Sequence, residues 1–347
     1  MTVASVASIS PEDIQAYLAT KLEDAEGIEL REVNQIAVGW SHETWLFDCH
    51  YRNAGKPQKL GLCLRRDPGN ALLRHLSDLG EQFRVLKCLE LTDLPTPKAF
   101  WYESDTAILG APFLVMEKVD GACPSPWGRD GRAYYEGAAQ RGVLPGEFTA
   151  ALAKLHAIDW RAAGLEFLGV PNAGSAFAER EIAKWQELIA TTEHPPEPIL
   201  TDLICWLKSN IPPCDNVTLV HGAYRTGNLL IDDDRISAVL DWELQVLGDP
   251  MYDVAYVLSD LNREGTDLLS NLVAREAFLK DYEAATGFTI DEDVCRYYNA
   301  LYAMRSVAFW MSASDLYATG KSNDIRLART AWSVPVVLDR AARDLGY

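Results

Sequence analysis

Hydrophobic and polar residues alternate with different periods along the chain, and these periods predict its first elements. Near the N-terminus, Ser10 precedes Pro11 and two acidic residues, the pattern of a helix that begins at Pro11 with Ser10 as its N-cap. Two stretches rich in β-branched and aromatic residues follow, at 36–51 and 58–68, and their flanking Gly and Pro residues favour a hairpin. The chain is therefore predicted to open with one helix and a β-sheet.

The next two elements differ in period. Apolar residues recur at helical spacing between residues 74 and 91, on or near one face: Leu76, Leu79, Phe83, Leu86 and Leu89. The apolar run at 111–121, APFLVMEKVDG, is typical of a buried strand and stops at the turn pair Asp120-Gly121. A helix and a further strand are therefore expected before residue 121.

Beyond residue 121 the composition changes. Residues 122–146 are rich in Gly, Pro and charge, which predicts a linker or lid. Helical spacing dominates afterwards, as in 145–160 and in a long helix over 293–319, with one hairpin at 229–241. The pattern predicts an α+β fold of two lobes, with a β-rich first third, a hinge near 116–121 and a mainly helical remainder.

Composition and charge exclude several classes of function. The 347 residues are 48% hydrophobic and 24% charged, which is typical of a globular protein. The net charge of −18 argues against binding to nucleic acids or anionic membranes, because a protein needs a basic surface to bind either. Seven cysteines without a Cys-x-x-Cys pair favour neither a zinc site nor a disulfide framework. With no signal-like or membrane-spanning run, we expect a cytoplasmic protein, and the sequence leaves its oligomeric state open.

One stretch, 220–243, carries the pattern of a chemical site. His221 begins a predicted loop, Asn228 follows seven residues later, and Asp241 ends the second strand of the predicted hairpin. That arrangement can bring Asn228 and Asp241 to one end of the hairpin. An amide oxygen and a carboxylate suit Mg²⁺, which keeps water and substrate phosphates as its other ligands. The stretch therefore predicts a site for Mg²⁺ and a nucleotide.

The same stretch resembles the aminoglycoside phosphotransferase and choline kinase family, the small-molecule relatives of protein kinases. The family's loop reads His-Gly-Asp-x-x-x-x-Asn and is followed by a metal-binding Asp and a Gly-Asp-Pro segment. This chain offers His221-Gly222-Ala223, Asn228, Asp241 and LGDPMYDVAY at 247–256. The resemblance implies a kinase-like fold, with a nucleotide-binding lobe at 1–118 and a catalytic, acceptor-binding lobe at 119–347.

The resemblance also implies residues for ATP. Arg65 matches the family's phosphate-binding lysine, and Glu81 matches its carboxylate partner on the following helix. Arginine can also grip phosphate oxygens, with a more rigid geometry. The strand ending near Val119 resembles the hinge that receives adenine, through backbone groups, and 37–45 resembles the loop that covers the nucleotide. The remaining ATP-binding candidates are therefore Gly39, Ser41, Met116, Glu117 and Val119.

Ala223 stands where the family has its catalytic Asp, which orients the substrate hydroxyl and accepts its proton. Alanine can do neither. Three explanations are open: an engineered inactivation, a natural pseudokinase, and a natural enzyme with a displaced base. The first is favoured because the neighbouring motif residues are intact, which a drifting pseudokinase would not need.

Other charged residues near the motif have structural as well as functional interpretations. We expect His221 to bond backbone groups and Asp249 and Asp253 to brace the loop. Arg225 suits a substrate contact or the neutralisation of phosphate, with a surface ion pair as the alternative. Further acceptor-binding candidates are Trp127, Arg305 and Trp310, although the aromatic helix that carries the last two favours a core position.

These residues predict an ATP- and Mg²⁺-dependent O-phosphotransferase that acts on a small-molecule alcohol. The sequence of the motif resembles that of the catabolic branch of the family. This branch includes kinase domains that are fused to acyl-CoA dehydrogenases and phosphorylate 4-hydroxyacyl-CoA. A hydroxylated catabolic intermediate is therefore the first expectation for the acceptor, and an antibiotic or amino alcohol the second. The rival interpretation is a pseudokinase that binds the nucleotide without transferring phosphate.

Overall fold

The computed structural model describes residues 9–36, 42–67, 78–260, 263 and 265–346. The chain divides into two compact units. The first comprises Met1–Gly121 together with Ser237–Glu243, and the second comprises Ala122–Ile236 and Leu244–Tyr347. The sequence analysis did not predict that Ser237–Glu243 groups with the first unit. No helix within the described residues is long and apolar enough to cross a membrane.

An antiparallel sheet in the strand order β1-β2-β3-β5-β4 forms the centre of the first unit. Its strands and the helices of this unit are β1 (Ala25–Ile36), β2 (Glu43–Asn53), β3 (Lys56–Arg66), β4 (Ala99–Glu103), β5 (Phe113–Glu117), α1 (Pro11–Lys21), α2 (Leu79–Leu89) and α3 (Thr106–Leu109). β2 and β3 form the predicted hairpin, closed at Ala54-Gly55. Both turn residues have positive φ, as a tight two-residue hairpin turn requires.

Alternating residues of the sheet bury one face. Phe47 of β2, Leu62 and Leu64 of β3, and Phe113 and Val115 of β5 are fully buried in one cluster. The period of two puts these side chains on the same side, where α1 adds its own apolar residues: Ile14, Tyr17 and Leu18. α1 begins as predicted, because the Ser10 hydroxyl accepts from the Asp13 N–H in a capping box. Arg65 alternates with Leu62 and Leu64 along β3, so its side chain lies on the other face of the sheet.

The second unit is mainly helical. Its elements are α4 (Arg129–Arg141), α5 (Val143–His156), α6 (Ala176–Ala190), α7 (Pro198–Ser209), β6 (Thr218–Val220), β7 (Leu229–Asp232), β9 (Val246–Gly248), α8 (Pro250–Leu258), α9 (Arg275–Thr286), α10 (Glu292–Ala318), α11 (Ile325–Arg329) and α12 (Ser333–Asp344). β8 (Arg235–Val239) completes the hairpin with β7 and runs from this unit into the first. The long α10 packs against α6, α7, α8, α11 and α12.

Two expectations need correction. The stretch 122–146 is not a linker, because α4 occupies most of it and buries Tyr135. Its Gly and charged residues obscured a helix bounded by Gly128 and Gly142. The helix expected over 74–91 begins at Leu79, after the N-cap Asp78, and positions 74–77 lie outside the described residues.

Candidate active site

The loop at 221–228 begins where β6 ends, and β6 pairs antiparallel with β9. Gly222 has φ of +81°, in the left-handed region, and a Cβ built on it would lie 2.5 Å from the Leu244 carbonyl oxygen. A side chain at this position is therefore excluded on both conformational and steric grounds. The Gly of the motif is explained by this turn.

Asp253 of α8 braces the start of the loop. One carboxylate oxygen accepts from the His221 N–H at 2.7 Å, and the other accepts from the Gly222 N–H at 2.8 Å. His156 Nε2 lies 3.2 Å from the first of these oxygens, and all four groups are buried. The His221 ring in turn accepts from the Ala223 N–H at Nδ1, 3.2 Å away. The expected structural roles of His221 and Asp253 are confirmed.

Asp249 acts one turn earlier as the N-cap of α8. It accepts from the Met251 N–H at 2.8 Å and from the Tyr298 hydroxyl at 2.9 Å. Burial raises the pKa of the Asp249 carboxyl above its usual range. Asp249 therefore holds α8, and α8 presents Asp253 to the loop.

Asn228 and Ala223 are joined across the loop. Asn228 Nδ2 donates to the Ala223 carbonyl oxygen at 2.9 Å, at the end of a 3₁₀ turn over Thr226–Asn228. Because the amide nitrogen is used in this bond, the amide oxygen is the atom that Asn228 offers to a ligand. Ala223 is 7% exposed, and its methyl group carries no proton acceptor.

Asp241 lies in the first unit, two residues after β8. Its φ of 68° is left-handed, a conformation that is uncommon for residues other than Gly but in which Asn and Asp are enriched. The next residue, Trp242, is buried and donates its indole N–H to the Val239 carbonyl at 2.9 Å. The Asp241 side chain keeps about a third of its surface exposed, at 34%. Trp242 thus fixes the turn, and the Asp241 carboxylate stays accessible.

Arg65 is held by side chains from two other elements of the first unit. Its Nη1 donates to Gln82 Oε1 at 3.1 Å, and its Nη2 lies 3.0 Å from His42 Nδ1. Burial, with the charge of Arg65, lowers the pKa of His42 to about 3, so the ring is neutral and can accept this bond. Arg65 Nη2 also lies 3.9 Å from Asp241 Oδ1. Two predicted residues, Arg65 and Asp241, are therefore neighbours.

The α2 residue that bonds Arg65 is thus Gln82, which the sequence analysis did not single out. The predicted partner, Glu81, is the preceding residue of the same helix, and its role for Arg65 stays a prediction. His42 was missed as well. His42 lies within the 37–45 stretch that resembles the nucleotide-covering loop, and Gln82 follows Glu81. Both are 17 or more residues from Arg65, and no local pattern indicated that they bond it.

The predicted hinge follows the inner strand β5. Met116 is buried in the sheet, and the Glu117 N–H donates to the Lys98 carbonyl at 2.8 Å. The Glu117 N–H is therefore not available to adenine. The Lys118 N–H donates to Gly61 O at 3.0 Å, and Val119 follows outside the strand. The two remaining nucleotide candidates, Gly39 and Ser41, lie outside the described residues.

A group of ion pairs around Asp48 also links this hinge to β2. Asp48 is buried, and its two carboxylate oxygens lie 2.6 Å from Lys118 Nζ and 2.8 Å from Lys59 Nζ. These bonds from Lys118 and Lys59 hold the pKa of Asp48 below its usual range. The backbone before Val119 is thereby tied to the sheet through a side chain as well as through Gly61.

Segment 122–128 lies on the loop within the second unit. Ala122 and Ile231 exchange backbone hydrogen bonds of 2.9 and 2.8 Å. Cys123 Sγ lies 3.1 Å from the Gly227 carbonyl oxygen. The Tyr135 hydroxyl lies 2.9 Å from Pro124 O and 3.1 Å from Thr226 O, so α4 also contacts both segments. The segment places Trp127 over the Arg225 guanidinium, 5.1 Å from the ring centroid.

The two candidates on α10 differ in their surroundings. Arg305 is 7% exposed, and its Nη1 donates to the Gly222 carbonyl at 2.5 Å while the guanidinium stacks on Tyr302 at 4.3 Å. These contacts make Arg305 a support of the loop. Trp310 is partly buried, and its carbonyl accepts from the Thr330 hydroxyl at 3.0 Å.

Metal-binding groups in the described residues are sparse. No three His, Cys, Asp or Glu side chains of these residues lie close enough together to hold a metal ion. The amide oxygen of Asn228, in the second unit, and the carboxylate of Asp241, in the first, are both of the ligand type that Mg²⁺ prefers, and their shared role as metal ligands stays a prediction.

Comparisons with known sequences give a family and several relatives. A model of the phosphotransferase enzyme family matches residues 32–298. "Probable acyl-CoA dehydrogenase IBR3" of Arabidopsis thaliana is 30% identical over 328 residues, 86% of this chain and 38% of the relative. "Acyl-CoA dehydrogenase family member 11" of Gallus gallus is 33% identical over 196 residues, 56% of this chain and 24% of the relative. The chain thus spans less than half the length of these relatives.

Solved structures show the same fold. A Ralstonia eutropha protein assigned to the aminoglycoside phosphotransferases superposes with a TM-score of 0.69 and 23% identity, covering 97% of this chain and 98% of its own. An aminoglycoside 2′-phosphotransferase-IIIa mutant in its GDP complex gives 0.62 and 17%, covering 97% and 99%. The kinase-like α+β fold expected from the sequence is confirmed. With a family model over most of its length, the chain belongs to the phosphotransferase enzyme family.

Proposed function

We propose that this protein is an ATP- and Mg²⁺-dependent O-phosphotransferase that acts on the hydroxyl of a small molecule. The observation that carries the proposal is the loop at 221–228. Asp253 and Arg305 hold it by three hydrogen bonds to His221 and Gly222. Such rigid support suits a reaction whose catalysis is mostly positioning and electrostatic stabilisation.

The nucleotide is assigned to residues of the first unit. Arg65, held in place by Gln82 and His42, would bind the α- and β-phosphates through its guanidinium fork. Because the Glu117 N–H is bonded to Lys98, the N–H that meets adenine would be that of Val119. Asn228, through its amide oxygen, and Asp241 would hold Mg²⁺, which supplies charge neutralisation on the phosphate oxygens when bound.

Transfer breaks the bond between the γ-phosphorus and its bridging oxygen and forms a bond from that phosphorus to the acceptor oxygen. The hydroxyl proton must leave at the same time, and ADP is the second product. Ala223 offers no atom that can take this proton. Loss of a positioned base costs about 10² to 10⁴ in rate, or roughly 3 to 5 kcal/mol of barrier. We therefore propose that the chain with Ala223 is catalytically impaired.

The acceptor is proposed to be a hydroxylated catabolic intermediate or hydroxyacyl compound. The names of the curated relatives support this choice, because they are acyl-CoA dehydrogenases and the match to this chain covers only a part of each. An antibiotic or an amino alcohol is the second choice, supported by the fold shared with aminoglycoside and macrolide phosphotransferases.

Nucleotide binding tests the assignment without requiring turnover. We expect ATP to bind more tightly with Mg²⁺ than without it, and Asp241→Asn to remove that difference. Arg65→Met should weaken ATP binding in both conditions. Arg343→Gln, an exposed arginine of α12 paired with Asp339, serves as a control and should change neither. Titration calorimetry measures the Kd of ATP in each case. A Kd that depends neither on Mg²⁺ nor on Asp241 would contradict the assignment.

Ala223 itself favours one alternative, a pseudokinase that binds the nucleotide without transferring phosphate. Both proposals predict ATP binding, so binding alone cannot separate them. Restoring a carboxylate with Ala223→Asp does, because the pseudokinase alternative predicts no transfer even then.

A further inference from the structure

Arg225 is a partly buried cation for which the described residues supply no counter-ion. Its Nη1 is buried and has no hydrogen-bond partner, and Arg225 makes no ion pair with any residue that the structure describes. A guanidinium stays charged at any physiological pH. A buried charged N–H without an acceptor is unfavourable, so the site is incomplete without a ligand that accepts it.

Other buried arginines show what this chain does when the role is structural. Arg66 is bonded by Glu43 and the Leu109 carbonyl, and Arg305 is bonded by the Gly222 carbonyl. Each has an acceptor from the protein. Among the described residues, Arg225 has the aromatic ring of Trp127 beside its guanidinium, and its backbone is extended with φ of −162°.

The protein makes room for this guanidinium. A Cβ built on Gly227 would lie 2.9 Å from Arg225 Nη1 and 3.1 Å from Pro126 Cδ. Pro126 and Trp127 are themselves fixed by the bonds of the neighbouring Ala122 and Cys123 to the hairpin and the loop. Trp127 is 47% exposed, so one apolar ring lies beside the cation and remains open to a ligand.

We propose that Arg225 and Trp127 bind a carboxylate of the acceptor, and that the acceptor is therefore a hydroxy acid. The proposal rests on the proposed function, because Ala223, two residues earlier, marks the place of the reacting hydroxyl. The guanidinium fork matches a carboxylate in a bidentate geometry. The residues assigned to ATP phosphates and adenine belong to the first unit, whereas Arg225 and Trp127 both belong to the second.

The same cation acts against amine acceptors. The net charge of −18 would attract an aminoglycoside or an amino alcohol to the protein, but Arg225 would repel its ammonium group at close range. An acid that binds despite the overall charge therefore needs a local cation, which Arg225 provides.

The test compares three hydroxylated probes of similar size that are negative, neutral and positive. Titration calorimetry of the full chain with Mg-ATP present would measure the Kd of 4-hydroxybutyrate, of its neutral amide, and of 4-aminobutanol. We expect the acid to bind about tenfold or more tightly than either, as charge-assisted hydrogen bonds imply. Arg225→Met should abolish this preference, and Arg225→Lys should restore part of it. Arg343→Gln should leave it unchanged, and thermal unfolding of each variant checks that it is folded.

Four results would overturn the proposal. The first three are no saturable binding of the acid, equal affinity for the acid and the amide, and an acid preference that survives in Arg225→Met. A weaker ATP affinity with unchanged acid binding in Arg225→Met would overturn it too, since the cation would then serve the nucleotide. Failure of the proposed function looks different, because Ala223→Asp would then transfer no phosphate while the Arg225-dependent preference for the acid persists.

Discussion

The two buried carboxylates of α8 should respond oppositely to removal of their charge. In Asp253→Asn, an amide oxygen can replace only one carboxylate oxygen. If it keeps the bond from the His221 N–H, the amide nitrogen faces the Gly222 N–H, and two donors oppose each other. In Asp249→Asn, the oxygen keeps the Met251 N–H, and the Tyr298 hydroxyl can rotate to accept from the new amide.

The magnitudes follow from these bonds. Asp253→Asn loses one charge-assisted hydrogen bond and leaves the buried Gly222 N–H without an acceptor, which together cost about 3 to 4 kcal/mol. Asp249→Asn keeps both bonds in neutral form and removes a carboxylate whose pKa burial already raises, so about 1 kcal/mol or less is expected. The first value is a large fraction of a typical domain stability of about 5 to 15 kcal/mol.

Urea unfolding followed by tryptophan fluorescence would measure both free energies of unfolding at neutral pH. The double comparison controls for helix α8, because both substitutions remove one negative charge from its first turn. Equal destabilisation by the two substitutions would refute the reasoning, since it would mean that the loop N–H groups of His221 and Gly222 do not depend on Asp253.

Two further predictions concern the loop and the hinge. Gly222→Ala should cost about 2 to 4 kcal/mol, because the residue has positive φ and the new methyl group would displace the Leu244 carbonyl; urea unfolding measures this, and a neutral effect would contradict it. Asp48→Asn should cost about 2 to 3 kcal/mol near pH 7, where the charged Asp48 is bonded to Lys118. Because its folded-state pKa lies below the ordinary 3.8, the stabilisation by Asp48 is present above that value and is lost as pH falls through the folded pKa. The gap between wild type and Asp48→Asn in thermal unfolding should therefore close only below about pH 4, and a gap that closes near pH 6 would contradict the assignment.

Local signals in the sequence predicted several elements well. Ser10 and Pro11 mark the start of α1 because a cap and a fixed φ act within one turn. The hairpin of β2 and β3 is indicated by its β-branched and aromatic residues. The residues of 220–243 predicted a candidate site, because the family's motif fixes their spacing.

Elements that depend on distant partners were missed. β1 (Ala25–Ile36) carries mostly exposed and half-buried residues, many of them charged, and is held by its backbone pairing with β2. α4 buries few residues, and its Gly and charged positions disfavour a helix in isolation. Such elements form because the rest of the fold supplies a partner.

The site shows the same division. Arg65 was identified from its position, but its acceptors His42 and Gln82 come from separate elements and carry no motif. Arg305 was interpreted as either core or acceptor site, and only the contact with the Gly222 carbonyl shows its support of the loop. Long-range contacts of this kind are set by packing, which a single sequence does not display.

Transfer of the γ-phosphoryl group of ATP tests the central claim most directly. The assay would follow Mg²⁺-dependent transfer from labelled ATP to a panel of hydroxy acids, hydroxyacyl compounds, amino alcohols and antibiotics, with the Ala223 chain and with Ala223→Asp. We predict that Ala223→Asp transfers phosphate to at least one acceptor about 10² to 10⁴ times faster than the chain with Ala223. No transfer by either form, with Mg-ATP bound to both, would contradict the phosphotransferase account and favour the pseudokinase alternative. Equal turnover by the two forms would contradict the role of residue 223 as the position of the base.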